Sequence, residues 1–283
     1  MRRFTCLALV LGLAATPAAA QPAATGALPN PDDLASRDSF SLGVGAAIIP
    51  DYEGSDDYKF TPLAAVRGQY HGISFYTLGS YLYVDVIPRN SKFEFDAGPI
   101  VGFRSNKRRK IEDEVVENLR KTKSAFEVGG FAGVSAHGVT NPYDTLSFRV
   151  DVLRDVGSAH KSTVVSPNVL FSTPLSRTTY VAASAGAEFV GGKYADYYYS
   201  IDADNSLRTA GILPLYNADG GMKNWKLGLL VNQSITGDLL RGFSIFGAGQ
   251  YSRLVGDFAD APIVDERGSA SQWIGAAGVA YTW

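Results

Sequence analysis

ASQWIGAAGVAYTW, residues 270–283, decides the fold. In an extended chain successive side chains point to opposite faces. Trp273, Gly275, Ala277, Val279, Tyr281 and Trp283 therefore share one face, and Gln272, Ala276, Gly278, Ala280 and Thr282 share the other. The first face is apolar with aromatic ends; the second is small or polar. In water such a strand is an adhesive edge, so it has to be paired, covered or bathed in lipid.

The same alternation recurs upstream. In KFEFDAGPIVGFR (92–104), Phe93, Phe95, Ala97, Pro99, Val101 and Phe103 alternate with Glu94, Asp96, Gly98, Gly102 and Arg104. Comparable segments occupy 40–49, 60–70, 124–136, 144–156, 162–174, 179–190, 224–235 and 241–254. They run past the roughly five or six residues usual for soluble strands. About 9–11 tilted residues cross a bilayer when the strands close into a barrel that pairs every backbone group. With 72–87 and the last strand the count is eleven, whereas single-chain bacterial barrels have even numbers. Two readings supply a twelfth: GISFYTLGSYLYVDVI (72–87) breaks into two short strands near Gly79 and Ser80, or the polar stretch 191–224 hides one. The sequence thus specifies an all-β, closed antiparallel transmembrane β-barrel of about twelve strands, with ten and fourteen as alternatives.

Composition agrees. The chain has 30 Gly, 15 Tyr, 15 Phe and only 2 Met at 46% hydrophobic, which suits strands with one small-residue face better than a helical core. MRRFTCLALVLGLAATPAAA (1–20) reads as a secretory signal for the Sec pathway, with Arg2 and Arg3, a short apolar run and cleavage between Ala20 and Gln21. After it, nothing approaches the roughly 20 apolar residues of a transmembrane helix. Residues 21–37 are a flexible Pro/Ala-rich lead-in, and 38–283 form the barrel. The single cysteine, Cys6, lies in the signal, so the mature chain forms no disulfide and no thiolate metal site. Of 26 basic residues two are in the signal, leaving 24 against 28 acidic, a balance with no general attraction for nucleic acid. The expected location is the outer membrane of a Gram-negative cell.

Loop lengths orient the barrel. The long connections 105–123, 191–223 and 255–269 are expected on the outer side, and short turns such as TGDLL and NPYD on the periplasmic side. Trp225, Trp273 and Trp283 then fall at strand ends, where aromatic girdles lie. Gly98, Gly102, Gly129, Gly133, Gly228 and Gly278 fall on inward positions, where small residues relieve crowding. Arg67, Glu94, Asp96, Arg104, Glu127, Arg149 and Asp151 are inward candidates that either line a polar path or form a plugging ion-pair network.

YSRLVGDFADAPIVDERGSASQW (251–273) and the strand after it resemble the MipA/OmpV family of outer-membrane proteins. The matching positions are Tyr251, Arg253, Leu254, Gly256, Asp257, Asp260, Ala261, Pro262, Ile263, Val264 and the terminal Trp283. PDYEGSDDYKFTPL (50–63), with Asp51, Tyr52, Glu53 and Gly54, resembles the family's first loop, AGPIVGFR a central strand, and YYSIDADNSLRTAGILPLYNADGGMKNWKLG the long loop before the closing strands. Ala261 stands where serine is expected, and Trp283 where phenylalanine is commoner. The resemblance implies a barrel that scaffolds envelope machinery, joining a periplasmic murein hydrolase to a murein synthase; other members are described as adhesin-like or antigenic. It implies membrane lipid and lipopolysaccharide as surroundings, and assembly through the C-terminal strand by the barrel-assembly machinery. Fold transfers across a family better than function does.

Several motifs raise sharper chemistry. His160 and Ser162 have the two-residue spacing of an outer-membrane lipid esterase, but no orienting acid is evident beside them, which favours a turn histidine; His71 and His137 have no serine at that spacing. Asp202, Asp204 and Ser206 resemble part of a calcium loop without its glycine and distal glutamate, so no metal is expected. Asp51, Glu53, Asp56 and Asp57 are expected to cap and solvate a hairpin. In SNKRRKIEDEVVENLRKTK (105–123), Ile111, Val115 and Leu119 form a stripe for a short helix expected to cap the rim; the alternatives are that Lys107, Arg108, Arg109 and Lys110 grip lipopolysaccharide phosphates or that the stripe docks a partner. The expected function is a non-catalytic scaffold without cofactor; a narrow channel and a surface adhesin are the alternatives, twelve strands lying between a filled barrel and a water-filled one.

Overall fold

A computed structural model describes residues 38–87, 93–106 and 111–283. The signal with Ala20 and Gln21, the lead-in, and Lys107, Arg108, Arg109 and Lys110 lie outside the described residues. The chain closes on itself through its ends. β1 (Ser39–Pro50) pairs antiparallel with β12 (Ser271–Thr282), from Ser41 opposite Thr282 to Ile48 opposite Gly275. Between them run β2 (Tyr58–Tyr70), β3 (Ile73–Leu78), β4 (Tyr81–Asp85), β5 (Phe93–Arg104), β6 (Ala125–His137), β7 (Thr145–Asp155), β8 (Thr163–Pro174), β9 (Thr179–Val190), β10 (Gly221–Ser234) and β11 (Gly242–Leu254), each paired with its neighbours in sequence order. The result is a closed antiparallel barrel of twelve strands.

The twelfth strand comes from the break after Leu78. Gly79 turns the chain with a φ of 57°, a left-handed value that suits glycine, and separates two short strands. The stretch 191–224 supplies no additional strand; up to the start of β10 at Gly221 it folds into α2 (Gly192–Tyr199) and α3 (Ala203–Arg208).

Outward positions carry Leu42 and Val44 on β1, Leu227 and Leu229 on β10 and Val279 on β12, all exposed. Aromatics bound this apolar band. At the long-loop end Trp225, Tyr251 and Trp273 pack in a row at 5.3 and 4.8 Å, and the Trp273 N–H donates to the Tyr58 hydroxyl at 3.2 Å. At the other end Phe40, Trp283 and Tyr281 pack at 5.5 and 4.7 Å. On β2, Tyr58 and Tyr70 bracket the band; at about 3.3 Å per residue and ~40° of tilt they stand roughly 30 Å apart along the axis, the thickness of a bilayer core. Inside, missing side chains make room for large ones: a Cβ on Gly278 would come within 2.4 Å of the Phe246 ring, and one on Gly102 within 2.4 Å of the Tyr81 ring.

Long connections gather at one end, the outer end by the loop asymmetry of such barrels. There α1 (Glu114–Asn118), α2, α3, a 3-10 turn (Gly256–Phe258) and α4 (Pro262–Asp265) fold together over the mouth. At the opposite end the Asp144 carboxylate ties the NPYD turn, accepting the N–H groups of Val139, Thr140 and Asn141 at 2.6, 2.7 and 3.0 Å.

Arginine in place of Leu229, midway along β10 on the lipid face, is expected to cost about 2–4 kcal/mol in lipid vesicles, read from reversible urea unfolding. Desolvation opposes ionisation of Asp144, but the Thr140 hydroxyl and the turn's N–H groups outweigh it and hold its pKa below the ordinary value. A lowered folded pKa means stability present above about pH 4 and lost as pH falls through the folded value. Unfolding midpoints should therefore drop between neutral and strongly acidic pH, and drop less in Asp144→Asn.

Candidate functional site

The two loops singled out in the sequence meet at the outer mouth. Tyr52 donates its hydroxyl to the carbonyls of Ile263 and Arg267 at 3.0 and 3.1 Å, and Gly54 N–H donates to Gln272 Oε1 at 3.1 Å. Gly54 has a φ of 104°, and a Cβ there would lie 2.5 Å from Val264 Cγ2. The PDYEG turn thus needs its glycine twice, for backbone conformation and for space. Pro262 opens α4, whose Ile263 and Val264 are buried with Leu254, Phe258 and Tyr199 in one apolar cluster. Asp257 supports the same plug: its carbonyl accepts the Tyr216 hydroxyl at 2.8 Å and its carboxylate accepts the Asp219 N–H at 2.8 Å.

Beneath the plug lies a buried network of charges. Arg104 on β5 pairs with Glu127 on β6 at 2.9 Å and with Glu188 on β9 at 3.0 Å. Lys223, at the start of β10 and fully buried, reaches Glu188 at 3.0 Å and also pairs with Glu53 from the first loop. Tyr194 on α2 donates to Glu53 at 2.8 Å, and its ring lies 5.4 Å from the Arg104 guanidinium and 5.0 Å from Lys223 Nζ. Burial pushes the Tyr194 hydroxyl well above its ordinary pKa, so it stays protonated and keeps donating. Tyr81 donates to Glu127 at 2.6 Å, and His160 Nε2 meets Glu127 at 2.9 Å. Two cations, three carboxylates, an imidazole and two phenols thus pin a loop helix to five strands. A second cluster sits further in: Arg149 pairs with Asp151 at 2.7 Å, Tyr83 donates to Asp151 at 2.9 Å, and Tyr76 stacks on Tyr83 at 5.1 Å.

Several expectations change. The PDYEGSDDY acids do not simply solvate a hairpin: Glu53 enters the network, and Asp51 is buried, accepting the Glu112 N–H at 3.0 Å and pairing with Lys59 at 3.4 Å. The 105–123 helix is one short turn, α1, whose N-cap Asp113 accepts the Val116 N–H at 2.8 Å; Val116, not Val115, takes the fully buried place beside Ile111 and Leu119. Asp202 caps α3, and Asp202 and Asp204 both turn to Arg120 at 3.1 Å, which leaves them set up for an ion pair. Ser206 donates to the Leu213 carbonyl.

His160 has an orienting acid after all, Glu127, supplied from 33 residues away. Its other nitrogen, Nδ1, accepts the Ser162 N–H at 3.1 Å, while the Ser162 hydroxyl lies toward Gly191. Neither ring nitrogen is placed to take a proton from that hydroxyl. Of the inward charges expected, Arg104, Glu127, Arg149 and Asp151 join the two clusters; Glu94 meets His137 at 2.8 Å, and Asp96 accepts from Ser135 at 2.6 Å. Arg67 sits on β2 opposite Tyr76. Tyr251 and Arg253 lie at the rim, both reaching Ser271, at 3.1 and 2.9 Å. Asp260 is exposed after the 3-10 turn, and Gly256 opens that turn with a φ of 55°. Glu188 and Lys223 were missed; alternation along β9 marks Glu188 as inward, whereas Lys223 lies beyond the edge of the expected strand.

These features define an outer-membrane β-barrel whose outer mouth is stoppered by its own loops. The family described as MltA-interacting protein MipA matches residues 42–283, and the chain belongs to it. Among curated proteins none matches. Solved structures similar to it include OprD from Pseudomonas aeruginosa (12% identity, 86% of this chain and 65% of that one, TM-score 0.38). Others are OmpT of Vibrio cholerae (8% identity, 87% and 97%, TM-score 0.38) and the CymD monoaromatic hydrocarbon channel (10% identity, 87% and 88%, TM-score 0.38). The chain thus spans about two thirds of OprD, 65% of its length.

Removing the Lys223 ammonium takes the shared cation from Glu53 and Glu188, leaving Glu53 with the Tyr194 hydroxyl and Glu188 with Arg104, so Lys223→Ala is expected to cost about 3 kcal/mol. Limited proteolysis should then cut within 191–220 in intact vesicles, where the parent chain resists.

Proposed function

We propose that this protein is a non-catalytic scaffold of the outer membrane, exported by the Sec pathway and assembled through its C-terminal strand, that gathers periplasmic murein-synthesising machinery. The observation that carries the reading is the stoppered mouth. Tyr194, Tyr199, Lys223 and Glu127 are each fully buried where a conduit would have to pass. A barrel closed in this way offers surfaces rather than a through-path. The family's name ties a member to MltA, and a murein hydrolase and a murein synthase are the partners this suggests. Lipopolysaccharide surrounds the outer rim in this reading.

Crosslinking in intact periplasm followed by mass spectrometry should recover a murein hydrolase or synthase with the full chain; recovery at the level of an unrelated barrel contradicts the scaffold. In planar bilayers the purified barrel is expected to give no conductance steps. Regular, ion-selective steps would favour a channel.

A further inference from the structure

Charge is sorted around the outer rim. Exposed acids such as Asp56, Asp219, Asp265 and Glu266 lie in the β1–β2 and β11–β12 connections and just before β10. The opposite arc, over β6 to β9, carries exposed cations: Lys123 before β6, Arg154 on β7, Lys161 before β8 and Lys193 on α2 after β9. Among the described residues none of these four has an ion-pair partner. Other outer cations do: Lys59 holds Asp51, Arg120 holds Asp202 and Asp204, and Arg267 holds Asp113. Asp196, three residues along α2 from Lys193, is exposed and pairs with none of the four.

The fold brings these cations side by side. Arg154 faces Val128 of β6 and Thr163 of β8, and donates to the Thr163 hydroxyl at 3.3 Å. The turn from β7 to β8 closes on the Asp155 carboxylate, which accepts the N–H groups of Gly157 and Lys161 at 2.8 and 2.9 Å. It holds Lys161 at a φ of 50°, a left-handed value that is costly for a residue with a Cβ. The Thr163 carbonyl accepts the Gly191 N–H at 3.1 Å, so α2 and Lys193 start beside β8. One turn along α2, the Tyr197 hydroxyl accepts the Lys123 N–H at 2.8 Å. Four adjacent strands at about 4.8 Å spacing make an arc roughly 15 Å wide.

This arc also borders lipid. Arg154 lies on the outward side of β7, between the buried Leu153 and Asp155 and two residues beyond the exposed Val152. Exposed aromatics stand at the outer ends of its neighbours: Phe103 and Phe126, with rings 5.0 Å apart, on β5 and β6, and Phe189 on β9. We propose that the arc binds the head of an outer-leaflet glycolipid carrying two phosphates, the lipopolysaccharide class. Arg154 and Lys161 take one phosphate and Lys123 and Lys193 the other, while acyl chains run down Val152, Val165 and the phenylalanines. Four unpaired cations match two phosphates on one broad head. A phospholipid brings one phosphate, and a free phosphate has no chains for the apolar wall below. The site does not include residues 107–110, and it is independent of the scaffold reading, which concerns periplasmic partners.

The test uses the full-length barrel, stripped of lipid in mild detergent and titrated with diphosphorylated lipid A, its dephosphorylated form and inorganic pyrophosphate. Saturable one-to-one binding of the diphosphorylated lipid is expected, weakened by salt, with the dephosphorylated form weaker and pyrophosphate a poor competitor. Arg154→Gln combined with Lys161→Gln should weaken the diphosphorylated lipid roughly five-fold for each cation removed and leave the dephosphorylated form unchanged. Arg208→Gln, an exposed outer cation already paired with Asp204, should change neither. Should the double variant lose the gel mobility of a folded barrel before boiling, Lys123→Gln combined with Lys193→Gln carries the same comparison and the same expected loss. Undiminished affinity in a folded variant, equal loss of both lipid forms, the same loss in Arg208→Gln, pyrophosphate competing as well as the lipid, or phosphatidylglycerol binding as tightly would each overturn the assignment.

Discussion

Hydrocarbon offers no hydrogen bonds, and this constraint governs the whole molecule. Each unpaired N–H or C=O in the bilayer core costs several kcal/mol, so a chain that crosses with strands has to join its first strand to its last. β1 and β12 do this over eight paired positions, with alanine and glycine on much of the inward side and Leu42, Val44 and Val279 facing lipid. The hydroxyls of Ser41 and Thr282, 2.7 Å apart, tie the inner end of the seam. Every other strand inherits its register from that closure.

Closure creates a second problem, because twelve strands enclose more space than strand side chains alone fill. The protein answers it with loops from the outer end. Their apolar faces make a small core in the mouth, and the charges inside are satisfied by partners from distant elements. Such a network is a poor source of stability compared with apolar packing, since the desolvation of Lys223, Arg104, Glu127 and Glu188 offsets much of their attraction. What it does tie down is α2, whose Tyr194 ring sits between Lys223 and Arg104, 5.0 and 5.4 Å from their charged groups.

The barrel was legible because its physics is local. Alternation in 92–104 and 270–283 follows from one face meeting lipid and the other the interior, and strand edges fell within a few residues of the bounds expected. Even the division of 72–87 was readable at Gly79. The site was legible only in part. Arg104, Glu127, Arg149 and Asp151 show themselves as charges on inward positions of otherwise apolar strands. Glu53 and Lys223 do not, being 170 residues apart and outside any periodic segment. His160 illustrates the limit: its spacing to Ser162 suggested one chemistry, and its partner Glu127 on a different strand gave it another geometry. Ring closure brings such residues together, and no local pattern records it.

Seam closure can be tested directly with the paired substitutions Ser41→Cys and Thr282→Cys in a chain that has no other cysteine past residue 6. Under mild oxidation in membranes the account predicts near-complete disulfide formation within one chain, visible as a mobility shift that survives boiling and disappears on reduction. Thiols that stay free, or that link only between chains, would contradict a barrel closed by β1 and β12.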